Sequence, residues 1–311
     1  MTKAGIKAFA PATITNLCVG YGVLGCAVEH TGVEILIREG QKPGLTIENI
    51  TGAFGKVLKE TEMNVAGLAA LKLLNDLGQT QNTLEMDIHY KMPINKGMGS
   101  AAASAAGAVF AVSEFLKAGL SKQELLSYAV ASLREITGSA HLHHLIPSLM
   151  GGLTICNPAT HILYKKLHTP AGIYMVLISP ENETPKIDFD GTLNTRLTFD
   201  KTTAQQAALG SFITAMYTTD IPLLNECMSD YIVEPYISEI LPDFNELKKI
   251  AKEENAPGFG ITGRGPAMFA LCDNSLKAEN IGKKAEMYFA NTKRKAKCNI
   301  SKINLQGTVL F

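Results

Sequence analysis

The chain contains no tryptophan and no excess of charge of either sign. Its 311 residues include 29 lysine and arginine residues and 29 aspartate and glutamate residues, so the formal net charge is zero. A protein that holds a nucleic acid needs surplus positive charge to displace the counterions of the phosphates, so we expect no nucleic-acid partner. Hydrophobic residues make up 46% of the chain, as in globular proteins. At about 150 residues per domain, the length indicates two domains.

The chain also lacks paired cysteines and a long apolar run. No Cys-x-x-Cys pair occurs among its cysteines, which are Cys18, Cys26, Cys156, Cys227, Cys272 and Cys298. Residues 97–113 are uncharged, but they are few and consist largely of glycine, alanine and serine, so we expect a buried helix and no membrane partner. The first residues lack the apolar core of a signal peptide. We therefore expect reduced thiols and a cytoplasmic location.

Apolar periodicity predicts helices and strands that do not alternate strictly, which is typical of an α+β fold. Strands are predicted at residues 6–9, 33–37, 84–90, 153–156, 173–178, 267–272 and 308–311. Helices are predicted at residues 64–77, 101–117, 121–136, 203–217, 223–231, 244–254 and 278–290. Ser121 and Glu124 match a capping box. The best candidate boundary lies within residues 157–170, so we predict domains over residues 1–158 and 159–311.

Two stretches match the Gly-x-Gly-x-x-Gly pattern of dinucleotide-binding folds. They are Gly20-Gly22-Gly25 and Gly258-Gly260-Gly263. In an NAD site a strand precedes the pattern and a helix opens on its last glycine, because the helix N-terminus holds the pyrophosphate. Extended apolar sequence follows both patterns here. We interpret these glycines as tight turns and keep an NAD-dependent oxidoreductase as an alternative.

The loop PINKGMGSAAAS, residues 93–104, lies between a predicted strand and a predicted helix. Gly97 and Gly99 let the backbone approach an anion, and the free amides at the helix start near Ser100 present partial positive charge to it. The Ser100 hydroxyl can also bind a metal or a phosphate. Taken alone, the loop fits a phosphate-binding loop and a plain tight connection equally well. Its candidate nucleotide-binding residues are Pro93, Ile94, Asn95, Lys96, Gly97, Met98, Gly99, Ser100, Ala101, Ala102 and Ala103.

Three segments together resemble a known family. APATITNLCVGYGVLG near the start, PINKGMGSAAAS in the middle and APGFGITGRGPAMFALC near the end occur in the order and at the spacing of the three signatures of the GHMP kinases. The resemblance covers nearly the whole chain. Within the superfamily the chain is most similar to the homoserine kinases, which it also resembles in GSAHLHHLIPSLMGGLTI and DYIVEPYISEILPDFNELKK.

This resemblance implies a fold, a reaction and its ligands. The expected fold is α+β with an N-terminal domain related to the second domain of ribosomal protein S5 and a ferredoxin-like C-terminal domain. The expected reaction transfers the γ-phosphoryl group of ATP, with magnesium, to the side-chain hydroxyl of homoserine, on the way to threonine. The expected partner is a small-molecule substrate, and a homo-oligomer stays open.

Matching the chain to the family residue by residue assigns candidate site residues. Asn16 and His141 match polar residues that contact homoserine, and His144 is a third candidate substrate contact. Ser100 is the candidate metal ligand, and no residue is assigned as catalytic. The third-signature loop contributes Gly263, Arg264 and Gly265. A metal bound by the closely spaced histidines at 141, 143 and 144 is a further interpretation, but no cysteine or carboxylate pattern supplies the remaining ligands.

Several positions depart from the family pattern. Leu133 stands where the family has a magnesium-binding glutamate, and the nearby Glu135 is turned away by about 200° on a helix. Gly22 replaces an expected acid. His143 and His144 replace an aspartate–asparagine pair.

Further departures concern charge. The arginines that hold the substrate carboxylate correspond to Asp190 and Ile237, and Ala101 replaces a serine of the central loop. Lys96 and Arg264 are gains of positive charge, and we hypothesise that they partly replace the charge of the metal; the alternative is that both point into solvent. These departures favour, as an alternative function, a degenerate kinase fold that binds a nucleotide, a metabolite or a partner without phosphoryl transfer.

Overall fold

The structure is a computed structural model that describes residues 5–53, 57–157, 163–181 and 197–311. The strands of its first sheet are β1 (Ile6–Asn16), β2 (Gly20–Glu39), β3 (Gly44–Thr51), β4 (Thr83–Tyr90), β5 (Leu153–Asn157), β6 (Leu163–Leu167) and β11 (Val309–Leu310). Their order is β11-β1-β2-β4-β3, and β5 and β6 extend the sheet from β2. The length of β2 lets it pair twice, with β5 through residues 24–26 and with β4 through residues 33–39.

Four helices cover this sheet and the loops at its end. They are α1 (Val65–Asp76), α2 (Ser100–Leu116), α3 (Lys122–Thr137) and α4 (Leu142–Met150). The capping box of α3 is confirmed, because the Ser121 hydroxyl accepts from the amide of Glu124 while the Glu124 carboxylate accepts from the amide of Ser121. Small residues let α2 lie close to β2: a Cβ at Gly107 would stand 2.8 Å from Cγ1 of Ile35.

The second sheet is antiparallel and has four strands. They are β7 (Tyr174–Pro180), β8 (Gly258–Ile261), β9 (Met268–Cys272) and β10 (Ala296–Lys302), in the order β10-β7-β9-β8. Its half of the chain also contains the helices α5 (Phe199–Thr218), α6 (Ile221–Cys227), α7 (Glu234–Ile240), α8 (Phe244–Glu253) and α9 (Ser275–Asn291).

The central strands of the second sheet, β7 and β9, are buried on both faces. Alternation along β7 directs Val176 and Ile178 into a core shared with α7, α8 and α9, whereas Met175 and Leu177 pack into the core of the first sheet. The chain then returns to the first sheet after β10, through β11 and a bridge between Ile303 and Val28. The two halves of the molecule are therefore packed against each other along a continuous apolar layer.

The α+β class is confirmed, and several local expectations are corrected. The strands predicted at residues 6–9 and 33–37 are parts of longer strands, and the helix predicted at residues 223–231 ends at Cys227. The strands β3, β6, β8 and β10 and the helices α4 and α7 were not predicted. Both β6 and β11 belong to the first sheet, so the ranges 1–158 and 159–311 do not coincide with the two sheets, and residue 158 lies outside the described part of the chain.

The two Gly-x-Gly-x-x-Gly stretches lie mainly in strands and not in tight turns. The first begins β2, the second begins with β8, and no helix opens on the last glycine of either. A side chain is excluded at position 25 because α4 lies close to it. Within α4, Pro147 has no amide hydrogen to donate to the carbonyl of His143. A Cβ at Gly25 would stand 1.9 Å from that carbonyl oxygen. Close packing explains this glycine, and neither stretch has the structure of an NAD site.

Candidate active site

A cavity of about 400 Å³ lies where the three signature segments meet. The end of β1, the loop before α2, the start of α4 and the loop between β8 and β9 form its wall. The lining residues are Asn16, Tyr21, Asn95, Gly97, Gly99, Ser100, Ala101, Ala102, Ser139, His141, His143, His144, Gly263, Arg264 and Gly265. Candidate nucleotide, substrate and third-signature residues from distant parts of the sequence thus share one cavity.

The loop before α2 has the conformation of an anion-binding turn. Gly97 and Gly99 have φ angles of +84° and +74°, in the region that favours glycine. Gly99 is also the N-cap of α2 and provides no side chain to bond the first amides of that helix. These amides lie beside the cavity, where partial positive charge attracts an anion. The loop therefore offers a phosphate both backbone donors and close access.

Lys96 faces a different space. Its side chain lines a separate cleft of about 480 Å³ between the two sheets, together with Lys91, Glu181 and Lys297. The backbone carbonyl of Lys96 accepts a hydrogen bond of 3.0 Å from the amide of Ala267 and so joins the central loop to β9. The hypothesis that Lys96 replaces the charge of a metal is not supported, because its side chain does not line the cavity of the signature segments.

The other candidate nucleotide-binding residues of the loop lie in different places. Pro93 lines the cleft of Lys96, Ile94 lines both that cleft and a second cavity, and Met98 and Ala103 are buried in the core. The second cavity, of about 210 Å³, shares Asn95, Ser100 and Ala101 with the cavity where the signature segments meet. Its walls are mainly apolar and include Val57, Leu58, Met63, Val65, Ile94 and Ile136. An elongated ligand with an apolar flat end and an anionic end fits this pair of cavities.

Both polar atoms of the Asn16 side-chain amide form hydrogen bonds. Its Nδ2 donates to the carbonyl of Gly263 at 2.8 Å, and its Oδ1 accepts from the amide of Gly22 at 3.3 Å. Asn16, Leu17 and Cys18 all have positive φ angles, an uncommon conformation that is found at functional sites. This turn places Asn16 within hydrogen-bond distance of the third-signature loop.

His144 contacts the end of β1 through both ring nitrogens. Its Nδ1 lies 2.7 Å from Oγ1 of Thr13, and its Nε2 lies 3.3 Å from Oγ1 of Thr15. Oγ1 of Thr15 also accepts from the amide of Gly263 at 3.0 Å. Oγ1 of Thr262 donates to the carbonyl of Gly97 at 2.9 Å. A hydrogen-bond network therefore connects β1, the central loop, α4 and the third-signature loop.

Sequence reasoning missed these threonines. Thr13 and Thr15 are two residues apart on β1 and therefore share one face of the strand. Both are fully buried, as is Thr262. The alternation in Pro-Ala-Thr-Ile-Thr-Asn was a signal for paired hydroxyls, but nothing local indicated their partner on α4.

The histidines of α4 are neutral near pH 7. Burial lowers the pKa of His143 to about 4, assisted by the nearby charges of His141 and Arg264. Burial also lowers the pKa of His141, with Arg264 as a smaller cause, and lowers the pKa of His144 well below its ordinary value. Arg264 is then the only permanently charged side chain among the described residues that line the cavity. The cavity wall is mildly positive and suits an anionic ligand.

The described residues do not form a protein-held metal site. No group of three histidine, cysteine, aspartate or glutamate side chains able to hold a metal ion occurs in the described part of the chain. Leu133 is buried in the core, and the Glu135 carboxylate lies 2.8 Å from Nζ of Lys72 on α1, as expected for a side chain turned away from the cavity. Among the described lining residues, Ser100 is the one expected metal ligand, so this part of the wall offers magnesium a hydroxyl and no carboxylate.

Among the described residues, the positions matched to the family's substrate-binding arginines carry no positive charge. Ile237 is buried and lines a small void with Asn16, Asp230 and Glu234, so the surroundings of this position are apolar and acidic. Asp190 lies outside the described residues. Arg264 is the remaining cation beside Asn16 and the histidines.

Two family models match the chain. The model described as the GHMP kinases N terminal domain matches residues 64–152, and the model described as GHMP kinases C terminal matches residues 212–291. Together they span more than half of the chain. The chain belongs to the GHMP kinases. It is an ATP-dependent small-molecule kinase with the two-domain fold of that family.

Several GHMP kinases are similar to this one over most of their length. The homoserine kinase of Chlorobium phaeobacteroides (strain BS1) is 28% identical over 305 residues, which cover 95% of each chain. The homoserine kinase of Arabidopsis thaliana is 31% identical over 315 residues, covering 98% of this chain and 84% of the relative. The crystal structure of homoserine kinase from Cytophaga hutchinsonii matches with a TM-score of 0.95 and 33% identity, covering 99% and 98% of the two chains.

The fold also matches GHMP kinases of other names. The L. major mevalonate kinase, solved in complex with R-mevalonate, matches with a TM-score of 0.73 at 15% identity, covering 97% of each chain. At this identity the match concerns the fold alone. No helix in the described part of this GHMP kinase is long and apolar enough to cross a membrane.

Proposed function

We propose that this protein transfers the γ-phosphoryl group of ATP to the side-chain hydroxyl of homoserine. The observation that carries the proposal is the full-length similarity to homoserine kinases, which reaches 33% identity at a TM-score of 0.95. The geometry supports it, because the phosphate-binding loop and the candidate substrate residues line one cavity.

We infer that ATP lies across the two adjoining cavities in one orientation. The apolar cavity beside Val57 and Ile94 suits the adenine base, and the shared residues Asn95 and Ser100 lead from it to the central loop. The triphosphate then lies against the backbone of residues 97–100, at the positive end of α2. This orientation directs the γ-phosphate toward Asn16 and the start of α4.

The acceptor side of the cavity suits a small polar molecule. Asn16 and the neutral ring of His141 provide hydrogen-bonding groups, and Arg264 provides the positive charge that a carboxylate needs. We infer that Arg264 binds the carboxylate of homoserine. This assignment follows from the absence of another cation among the described lining residues.

Positioning and charge neutralisation account for the chemistry. The homoserine hydroxyl oxygen forms a bond to the γ-phosphorus, the bond from that phosphorus to the oxygen of ADP breaks, and the hydroxyl proton is released. No carboxylate among the described lining residues can act as a base, so rate acceleration depends on alignment and on stabilising charge on the phosphoryl oxygens. If magnesium accompanies ATP, the Ser100 hydroxyl would be the ligand that the described lining residues offer it, and the ion would neutralise charge on the phosphate oxygens.

The test is ADP release from MgATP by the purified protein, with and without homoserine. We expect release that depends on homoserine. Removing the charge in Arg264→Ala is expected to raise the KM for homoserine about ten-fold or more, because a charge-assisted hydrogen bond is lost. Arg134→Ala is the matched control, since Arg134 is an exposed arginine on α3 that does not line the cavity. Equal effects of both variants would refute the role of Arg264.

A second candidate function is nucleotide binding without phosphoryl transfer. It is favoured by the buried Leu133 and by the pairing of Glu135 with Lys72, which leave the described residues of the cavity wall without a carboxylate for magnesium. ATP would then raise the melting temperature while no acceptor produced turnover. Homoserine-dependent turnover excludes this candidate.

A further inference from the structure

His144 has no ring nitrogen left for a substrate. Its Nδ1 lies 2.7 Å from Oγ1 of Thr13, its Nε2 lies 3.3 Å from Oγ1 of Thr15, and the residue is only 6% exposed. A neutral imidazole has one donor and one acceptor, and each threonine hydroxyl can serve as either, so the two bonds use the full capacity of the ring. The ring therefore interacts with the protein and not with the acceptor.

The ring also packs against two loops of the site. A Cβ added to Gly99 would stand 2.8 Å from Nδ1 of His144, and a Cβ added to Gly263 would stand 2.9 Å from Nε2. One edge of the imidazole thus lies against the central loop and the other lies against the third-signature loop. A Cβ at Gly263 would also stand 2.7 Å from the carbonyl oxygen of Gly97, so the two loops touch each other beside the ring.

Hydrogen bonds transmit the position of the ring to both loops. Oγ1 of Thr15, which contacts Nε2, accepts from the amide of Gly263 at 3.0 Å. The amide of Thr13, whose hydroxyl contacts Nδ1, donates to the carbonyl of Met98 at 3.1 Å. Met98 precedes Gly99, the N-cap of α2. A shift of the ring therefore moves both the phosphate-binding amides and the loop that carries Arg264.

We propose that His144 is a positioning residue that sets the spacing between the phosphate-binding loop and the third-signature loop. The ring acts as a neutral, hydrogen-bonded spacer, so the γ-phosphate held at the start of α2 and the acceptor held beside Arg264 are brought into line. This role rests on the proposed phosphoryl transfer. It replaces the direct substrate contact that sequence matching assigned to His144.

The test compares ATP binding with acceptor binding in His144→Asn. The shorter amide cannot reach both hydroxyls, so a buried hydroxyl loses its partner and the loops lose their spacing. We expect calorimetry to show ATP binding weakened about ten-fold and kcat reduced about 100-fold. The KM for homoserine is expected to rise as well, because the loop that carries Arg264 also moves. His144→Gln, which is longer, is expected to recover part of the loss.

Two other histidines provide controls. His141 lines the same cavity, and His141→Asn is expected to raise the KM for homoserine while leaving ATP affinity unchanged. His89 makes a similar bond outside the site, with Nδ1 2.8 Å from Oγ1 of Thr51. His89→Asn is expected to leave ATP affinity, kcat and the KM for homoserine unchanged.

Thr15→Val provides an independent variant, because it keeps the shape of Thr15 and removes the hydroxyl between His144 and Gly263. It is expected to weaken ATP binding in the same way, and the double variant His144→Asn, Thr15→Val is expected to lose less than the sum of the single losses. If the His144 variants do not fold, Thr15→Val decides the question alone. An unchanged ATP affinity in Thr15→Val would then overturn the proposal.

The outcomes distinguish this inference from the proposed function. A raised KM for homoserine with unchanged ATP affinity in His144→Asn would make His144 an acceptor contact and overturn the positioning role. A lower melting temperature with unchanged ATP affinity would also overturn it, since the role would be structural only. Absence of homoserine turnover in the unmodified protein would refute the proposed function, whereas the ATP measurements would still decide the role of His144.

Discussion

At the residue scale, Gly99 occupies a crowded point of the site. Its φ angle of +74° favours glycine, and a Cβ there would stand 2.6 Å from Oγ1 of Thr13 and 2.8 Å from Nδ1 of His144. Gly119 has a similar φ angle of +70°, but a Cβ there would meet nothing within 4 Å. A comparison of alanine variants at Gly99 and Gly119 therefore separates the free-energy cost of backbone strain from the cost of displacing the loop.

We predict that Gly99→Ala lowers ATP affinity and stability, whereas Gly119→Ala lowers stability alone. A left-handed conformation costs an alanine about 1–2 kcal/mol, and both variants bear this cost. Only Gly99→Ala also pushes against Thr13 and His144, so we expect its loss of stability to exceed that of Gly119→Ala by about 1 kcal/mol or more. Thermal unfolding with and without ATP measures both effects. Equal ATP affinities in the two variants would contradict the prediction.

At the scale of a secondary-structure element, α4 and its N-cap residue carry the three histidines of the site. Burial lowers the pKa of His143 to about 4 and also lowers the pKa values of His141 and His144. The groups that act on His143 are His141 and Arg264, both of which oppose its protonation. In the unfolded chain these histidines take up protons near pH 6.5.

We predict that stability falls as the pH decreases from about 7 toward 4. The unfolded chain binds protons below its histidine pKa of about 6.5, whereas the lowered native pKa values delay protonation of the folded protein, so a falling pH stabilises the unfolded state relative to the native state. Each such histidine contributes up to about 1.4 kcal/mol per pH unit to the slope. Melting temperatures across this range measure the effect. His143→Gln, which does not titrate, is expected to give a shallower slope, and an unchanged slope would contradict the prediction.

The last residues of the chain connect the two halves at the scale of the whole molecule. After β10 the amide of Gly152 donates to the carbonyl of Asn304 at 2.7 Å, and the amide of Asn304 donates to the carbonyl of Ala27 at 2.9 Å. Oγ1 of Thr308 donates to the carbonyl of Ser148 on α4 at 3.0 Å. Residues 303–311 therefore connect the second sheet to β2 and to the helix that carries the site histidines.

We predict that removing residues 303–311 destabilises the whole protein and not its second half alone. The deletion removes β11 and the bonds to Ala27, Ser148 and Gly152, so both halves lose support together. Calorimetry is expected to show one transition at a lower melting temperature. Extending the chain with a short Gly/Ser linker after Phe311 is the control, because it adds residues without removing these contacts. A first half that melts at its original temperature in the truncated protein would contradict the prediction.

The sequence by itself determined the features that depend on neighbouring residues. The capping box of Ser121, the α+β class and the glycine loop at residues 97–99 follow from side-chain chemistry and periodicity within one or two turns of chain. The family resemblance assigned Asn16 and His141 as substrate contacts, which stays a prediction, and in the structure both residues line one cavity with this loop.

Tertiary structure decided what depends on contacts between distant segments. Thr13 and His144 are 131 residues apart, Thr15 and Gly263 are 248 apart, and no local pattern relates these positions. The sequence left two directions open for Lys96, because a loop side chain points wherever neighbouring segments leave room, and the structure places this residue at the cleft between the sheets. Local sequence determines backbone preferences over a few residues, whereas packing of the whole chain determines which side chains meet.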